Sequence, residues 1–491
     1  MRLTLIGGSY TARGLIANAQ RCINLFPEEN QKDSPVPFTH YQRPGFTPLV
    51  TGAEALPVRG LYRASNGAGY CVIGQKVYKL ESDFSLTELG TLAINLTTPV
   101  SMIDNGTTLM LVDNSPFGYT ITLATDVFAQ IVDGSGTFTG ATKVDFIDTF
   151  IIWNIPGTNR WGSTLSNSIT FDSLYIASKN NYPEPLQTLA VCRREIFLLG
   201  ALKSEIWFDA GDAQFPFAEL PGAAIEHGTV APFSVAQQDL NVYMLGQNLQ
   251  GSGVVFRLRG YECVRISTHA IEYAIQQYPT INDAIGYCYQ QDGHAYYVLC
   301  FPSADATWVF DEATQLWHQR AWTDSNGVLH RDRSNCCAFI YGKNLVGDWQ
   351  NGTIYELDRN AYQDTVAGQT YPLTCIRGFP HLQAVPGPQG PMALDGKRVQ
   401  FHKLVADLET GNTPLDADGN SPQITLRYSD DRGRTFGPAV LQAAGSLGQF
   451  NTYPQWLNLG IARDRVFELQ YSFNGKAPLN GAWVEAKVLE S

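Results

Sequence analysis

The 491-residue chain sets 34 Lys and Arg against 46 Asp and Glu, a net charge of −12. That balance excludes a protein that grips nucleic acid by neutralising phosphates, which needs a basic face, though not a channel through which DNA slides. Charged residues make up only 16%, below the ~25% of ordinary soluble domains, so much of the surface is expected to be covered by other subunits. Hydrophobic residues at 44%, 45 Gly, 26 Pro and 12% aromatics fit a turn-rich, all-β chain of about two or three domains.

In chain order, residues 1–45 read as an extended arm. MRLTLIGGSYTARG lacks the apolar run and cleavage pattern of a signal peptide. IANAQRCINLFPEEN has some helical spacing at Ile16, Ala19, Cys22 and Ile23 until Pro27 breaks it. DSPVPFTHYQRPGF is Pro-rich and extended. The arm is expected to pack on the body of the protein or on a neighbouring subunit. Gly45 to Val50 could supply the outer strand of a last blade and close a ring, leaving no unpaired edges.

Residues 46–360 carry one recurring phrase. Its clearest copy is LAVCRREIFLLGALKSEIWF, Leu189 to Phe208, three short apolar strands joined by tight turns. Further copies begin at Gly60, Ser234 and Cys337, and looser ones at Met102, Val144 and Ile285, which makes seven copies. Such a meander, repeated at roughly 40 to 55 residues, predicts a β-propeller of seven blades, with six the alternative count. A large β-sandwich with chance similarity among its strands is the competing fold. IPGTNRW, Ile155 to Trp161, is a predicted turn between two strands, and LYIASKNNYPEPL a connection to the fourth blade. THAIEYAIQQ, Thr268 to Gln277, predicts a short helix with Thr268 as N-cap and Pro279 as its stop. The last blade is expected to end near Leu357.

DRNAYQDTVAGQ is a polar boundary, and residues 361–491 read as a β-sandwich or jelly-roll. KRVQFHKLVADLETG and PQITLRYSDD alternate as half-buried strands do. Asn474-Gly475 and Asn480-Gly481 suit tight hairpin reversals. The loop Pro380 to Gly396 is expected to be mobile or ordered by a partner.

Motifs that could carry chemistry are few. SDDRGRTF, Ser429 to Phe436, resembles an Asp-box turn: Asp431 accepts backbone N–H bonds near Ser429, Gly433 takes the left-handed conformation, and Phe436 anchors the return strand. This is a folding device, and no catalytic residue is assigned. Pairs suited to glycoside hydrolysis were sought, but Asp209 with Asp212 and Asp430 with Asp431 fall in turns. Eight His show no metal-ligand spacing, LIGGSY lacks the Lys and helix of a phosphate loop, and no metal or cofactor is implied. Nine Cys, an odd number without a CxxC pair, fit folding in a reducing cytosol. The neighbours Cys336 and Cys337 should point to opposite strand faces. Arg193-Arg194, Arg257 with Arg259, and Arg331 with Arg333 read as solvated turn or strand-edge charges. No stretch approaches the ~20 apolar residues of a membrane span.

Glu195 to Gly246, which contains WFDAGDAQFPF, resembles the packaged-DNA stabilisation proteins of short-tailed bacteriophages, the tail hub or nozzle proteins. NAQRCINLFPE with RPGF near the start, and SDDRGRTF with LGIARDRVFEL near the end, extend the resemblance over nearly the whole chain. It implies a structural virion protein rather than an enzyme, assembled in the host bacterial cytoplasm. It further implies a homo-hexameric ring below the portal and head-tail adaptor, whose axial channel retains and then conducts genomic DNA. The same ring would dock tail needle, fibre or spike proteins. The alternative from another class is a carbohydrate-active propeller, a sialidase-like hydrolase or a lectin.

Overall fold

β-Branched and aromatic residues in runs of about five, cut by Gly, Asn and Asp, dictate short strands and tight reversals. The computed structural model describes every residue except 1, 4–7, 12, 15–18, 96, 383, 388–389, 394–395, 417 and 490–491. In the phrase around Leu189 the strands are Leu186–Cys192, Glu195–Gly200 and Ser204–Asp209, and a fourth, Phe217–Glu219, is added on the outside. The first reversal has only Arg193 and Arg194 between paired Cys192 and Glu195. Both take positive φ, 59° and 61°, the twist a two-residue hairpin requires and that Asn-Gly adopts with less strain.

Seven such sheets follow one another, beginning at Val58, Ser101, Val144, Leu186, Gly228, Ile285 and Ser334. Neighbouring sheets share seven separate apolar cores, the last joining Ile340, Leu345 and Ile354 of the seventh blade to Val58, Leu61 and Cys71 of the first. The toroid is therefore closed. Each blade is buried on both faces, so its strands are continuous apolar runs: Leu198 faces the third blade while Phe197 and Leu199 face the fifth. Cys336 and Cys337 likewise pack into cores on opposite sides of their strand. Closure is completed by Gly45–Thr51, which pairs antiparallel with Thr353–Asp358 as the outer strand of the seventh blade. The helix His269–Gln276, capped by Thr268, lies between blades five and six.

Beyond the last blade stand two facing sheets. In one the order is Gln455–Ala462, Val399–Leu408, Leu479–Val488, Phe38–Gln42, Leu25–Glu29. In the other, Cys22–Ile23, Cys375–Gly378, Val466–Tyr471, Gln423–Ser429 and Val440–Ala443 run side by side. Cys22, Leu25, Cys375, Phe401, Leu404, Trp456 and Leu469 fill the space between them. The second sheet is continuous with blade six, because Ile23 pairs in parallel with Gln319.

Four expectations are corrected. The described part of the first 45 residues holds no helix: it contributes strands to both sandwich sheets, and Pro27 sits in an edge strand, where a missing N–H is tolerated. Residues 15–18, including Ile16, lie outside the described residues. Asn480-Gly481 is no reversal but lies inside the strand Leu479–Val488 beside a bulge, and Asn474-Gly475 bends a connection between the two sheets. Ile176–Ser178 is the outer strand of blade three rather than a linker. Within Pro380 to Gly396, Ala384–Gly387 and Gly390–Ala393 pair as a hairpin, while residues 383, 388–389 and 394–395 lie outside the described residues.

A buried polar rivet joins the two bodies. Asn24, at φ 55°, donates to Thr374 O at 2.8 Å and accepts from Arg43 Nε at 3.0 Å and Ala321 N at 2.9 Å. Arg43 grips both Asp364 oxygens at 3.0 and 2.6 Å, and Asp364 also accepts Phe46 N–H. Burial draws the Asp364 carboxyl upward, while the guanidinium pulls it back and is itself raised by the pairing. Arg43→Met should cost about 3–5 kcal/mol in urea unfolding, because it strands a buried carboxylate. Arg43→Met with Asp364→Leu should recover most of that loss.

Candidate assembly surface

The turn motif folds as a tight local network. Ser429 Oγ donates to Asp431 Oδ1 at 2.6 Å and accepts Gly433 N–H at 2.7 Å. Asp431 accepts from Arg434 N and Thr435 N at 3.0 and 2.8 Å, and from Thr435 Oγ1 at 2.6 Å. Those bonds hold its carboxyl well below the ordinary range. Gly433 sits at φ 88°, and Phe436 lies under the Arg427 guanidinium at 5.3 Å. Asp430 points elsewhere, to the buried Arg465. Asp209 accepts the N–H of Gly211 at 2.9 Å. These carboxylates are spent on backbone and ion-pair bonds.

Arg193, Arg194 and Arg259 are exposed turn or strand-edge charges, as expected; Arg331 and Arg333 are not. Arg194 bonds Asp148 at the tip of blade three, and Arg193 donates to Leu240 O at the tip of blade five, so one charged turn ties three blades. Arg257 pairs with Glu312. Arg331 and Arg333 are buried rather than solvated, at 7% and 2% exposure. No local sequence signal marks this: both guanidinium groups stack on the sequence-distant Trp349, at 4.3 and 5.1 Å.

Three histidines, His40, His294 and His318, gather where the sandwich strands of the arm meet blade six. His294 Nδ1 donates to Asp311 Oδ2 at 2.7 Å, and its Nε2 lies 3.7 Å from Glu28. Burial opposes its charge, but Asp311 and Glu28 outweigh burial and raise it. His318 is fully enclosed; burial, with Arg320, His294 and His40 nearby, lowers it far below the usual value. The two act in opposite senses. A raised His294 contributes stability below its unfolded pKa of about 6.5, lost as pH climbs through the folded value. A neutral His318 contributes stability above about 6.5, lost on acidification. Between about pH 7 and 5, His318→Leu should flatten the loss of unfolding free energy, and His294→Gln should steepen it.

The propeller axis is narrow. Residues on or just before the inner strand of each blade, among them Arg59, Ser101, Lys143, Thr188, Val235, Tyr287 and Asn335, line a cavity of about 140 Å³. That holds a few waters, not a nucleic-acid strand. Gly286 permits this crowding: a Cβ there would sit 2.2 Å from Ser234 O.

A run of exposed apolar residues lies on the sandwich. Leu441, Leu447, Phe450, Tyr453, Leu457 and Ile461 are each 44% to 69% exposed. They lie on or between Val440–Ala443 and Gln455–Ala462, the open edge strands of the two sheets, which the bond from Trp456 Nε1 to Val440 O, 2.8 Å, ties together. An apolar flank with unpaired edges is a docking surface or an aggregation hazard.

A family model described as "Bacteriophage P22 Gp10, beta-propeller" matches residues 1–362. No curated protein matches the chain. Among solved structures, streptogramin B lyase is similar at 9% identity and a TM-score of 0.42, over 63% of this chain and 96% of that one. A chain of the mitotic checkpoint complex is similar at 9% identity and 0.42, over 68% and 96%. The WD40 β-propeller domain of Doa1 is similar at 9% and 0.38, over 64% and 96%. Likenesses this distant carry no statement about activity.

Proposed function

From a chain that belongs to the bacteriophage P22 Gp10 β-propeller family, we propose a structural protein of the phage tail hub or nozzle. In this reading six copies form a ring below the portal and its adaptor. The ring's channel retains packaged DNA and later conducts it, and its outer surfaces dock needle, fibre or spike proteins. The family match over residues 1–362 carries the reading. Three physical features support it. The cavity on the propeller's own axis, about 140 Å³, is too small for a DNA strand, so a DNA path would have to lie between copies. A net charge of −12 suits a lumen that must not hold DNA tightly. All nine cysteines are free thiols, as assembly in a bacterial cytosol requires.

The apolar flank of the sandwich is the surface we assign to the neighbouring copy. The protein acts here as a wedge-shaped brick, not as an enzyme. The carbohydrate-active reading gains no support: the one Asp-box-like turn lies in the sandwich, and its Asp431 is consumed by the turn.

Reconstruction of virions by cryo-electron microscopy tests the reading. The chain should appear as a ring on the tail axis; density away from that axis would overturn it. Phe450→Ser with Leu457→Ser should change folded stability by no more than about 0.5 kcal/mol each, as surface substitutions do. The same pair should reduce ring formation on DNA-filled heads by about 30-fold or more, the effect of losing a buried interface anchor.

A further inference from the structure

The net charge of −12 conceals one basic end of the sandwich. Val399 pairs with both Ala462 and Val488, so Arg398 and Arg463 stand side by side one residue beyond the ladder, and Lys487 lies opposite Gln400. Arg463 donates to Gly396 O, and Arg398 O accepts Leu489 N–H at 2.9 Å. The turn Ser429 to Phe436 is drawn to the same place: Arg432 bonds Asp464 at 2.9 Å, and Asp430 holds Arg465. The acids described here are all occupied, Asp431 by its own turn and Asp464 by Arg432 and His381. Lys397, Arg398, Arg434, Arg463 and Lys487 are exposed, and none has a carboxylate partner among the described residues. Asp395 and Glu490 lie outside the described residues.

Like charges side by side on neighbouring strands weaken a sheet. Elsewhere the strands match them: Arg427 meets Glu468, Lys403 meets Glu485 and Lys343 meets Glu356. The unmatched end also lacks an aromatic anchor. Phe450 and Tyr453, the exposed aromatics of the sandwich, lie toward its other end, where Gly448 bonds Gly411 beyond Leu408. Protein–protein contacts rest on apolar anchors and are depleted in Lys. A surface of exposed cations alone fits a phosphate backbone, whose binding is driven by release of counterions.

We infer that this end of the sandwich contacts the phosphates of duplex DNA without reading its sequence. Arg398, Arg434 and Arg463 offer planar forks to phosphate oxygens, and Lys397 and Lys487 add point charges. The inference rests on the ring reading and deepens it. Retention of DNA needs some grip, which an acidic body does not supply and this end does. In a ring the end recurs on every copy, so many weak contacts hold the duplex together, and each can be released as it slides. The acidic remainder of the chain keeps DNA from spreading beyond these loops.

The test is fluorescence anisotropy of a labelled mixed-sequence duplex of about 30 base pairs, titrated with the full chain between about 50 and 200 mM salt. The Kd should be on the order of 10⁻⁵ M at the lowest salt, and log K should fall against log salt with a slope of about −4. Arg398→Gln with Arg434→Gln should leave the melting temperature unchanged, weaken binding about tenfold or more and flatten the slope by about 2. Lys397→Gln with Lys487→Gln should act in the same direction and serves if the first pair does not fold. No binding at low salt, or binding and slope unchanged in both variants, overturns the inference. So does salt-sensitive self-association without DNA that both variants lose in light scattering, which assigns the end to an acidic face of a second copy. A ring on the tail axis whose basic ends point away from the channel overturns this inference alone and leaves the ring reading intact.

Discussion

Everything in this molecule depends on one crossing of the chain between its two bodies. After pairing in the sandwich as Phe38–Gln42, the backbone turns through the buried Arg43 and enters the seventh blade as Gly45–Thr51. Without that strand, Thr353–Asp358 would present an open edge and the ring would lack its final pairing. The residues that close the toroid are thus held by the Asn24, Arg43 and Asp364 cluster that fixes the sandwich. A charge pair in such a place gives little net stability. Its geometric demand is strict, however, since Arg43 reaches Asp364, Pro44 O and Ala321 O at once. We read the cluster as a device that sets the angle between the bodies.

The toroid explains the composition. Each blade buries both faces, so the strands can be almost wholly apolar, and charge is confined to turns and rims. Where charge does enter the interior it is matched, as in Arg59 with Asp113 and Arg333 with Asp348. Two places break these rules. The sandwich flank shows large apolar side chains to solvent, and one end of the same sandwich sets like charges side by side. Such local violations are expected where a protein meets something else.

The sequence carried its own local physics openly. The meander around Leu189, the Thr268 cap of the helix and the turn at Ser429 to Phe436 are all written within a few residues of one another. Even ring closure by Gly45 to Val50 was legible, because a repeat that starts one strand late needs that strand from elsewhere. The outer strands Ile176–Ser178 and Phe217–Glu219 were not legible, since three-residue edge strands have no period to read. Nor were the partners of the arm: Pro27 looks like a break until its strand is known to lie at an edge. Asn480-Gly481 looks like a turn until the bulge against Asp407 is known.

What the amino-acid order settled by itself was an all-β chain of repeated meanders, because strand periodicity and turn chemistry act over only a few residues. What tertiary structure alone decided was burial of charge and the pairing of distant segments. Arg331 and Arg333 sit among polar neighbours in the sequence and become interior only when Trp349 folds over them. Ile23 meets Gln319 and Ile376 across some three hundred residues, and no local signal records a contact whose cost is the closure of so long a loop.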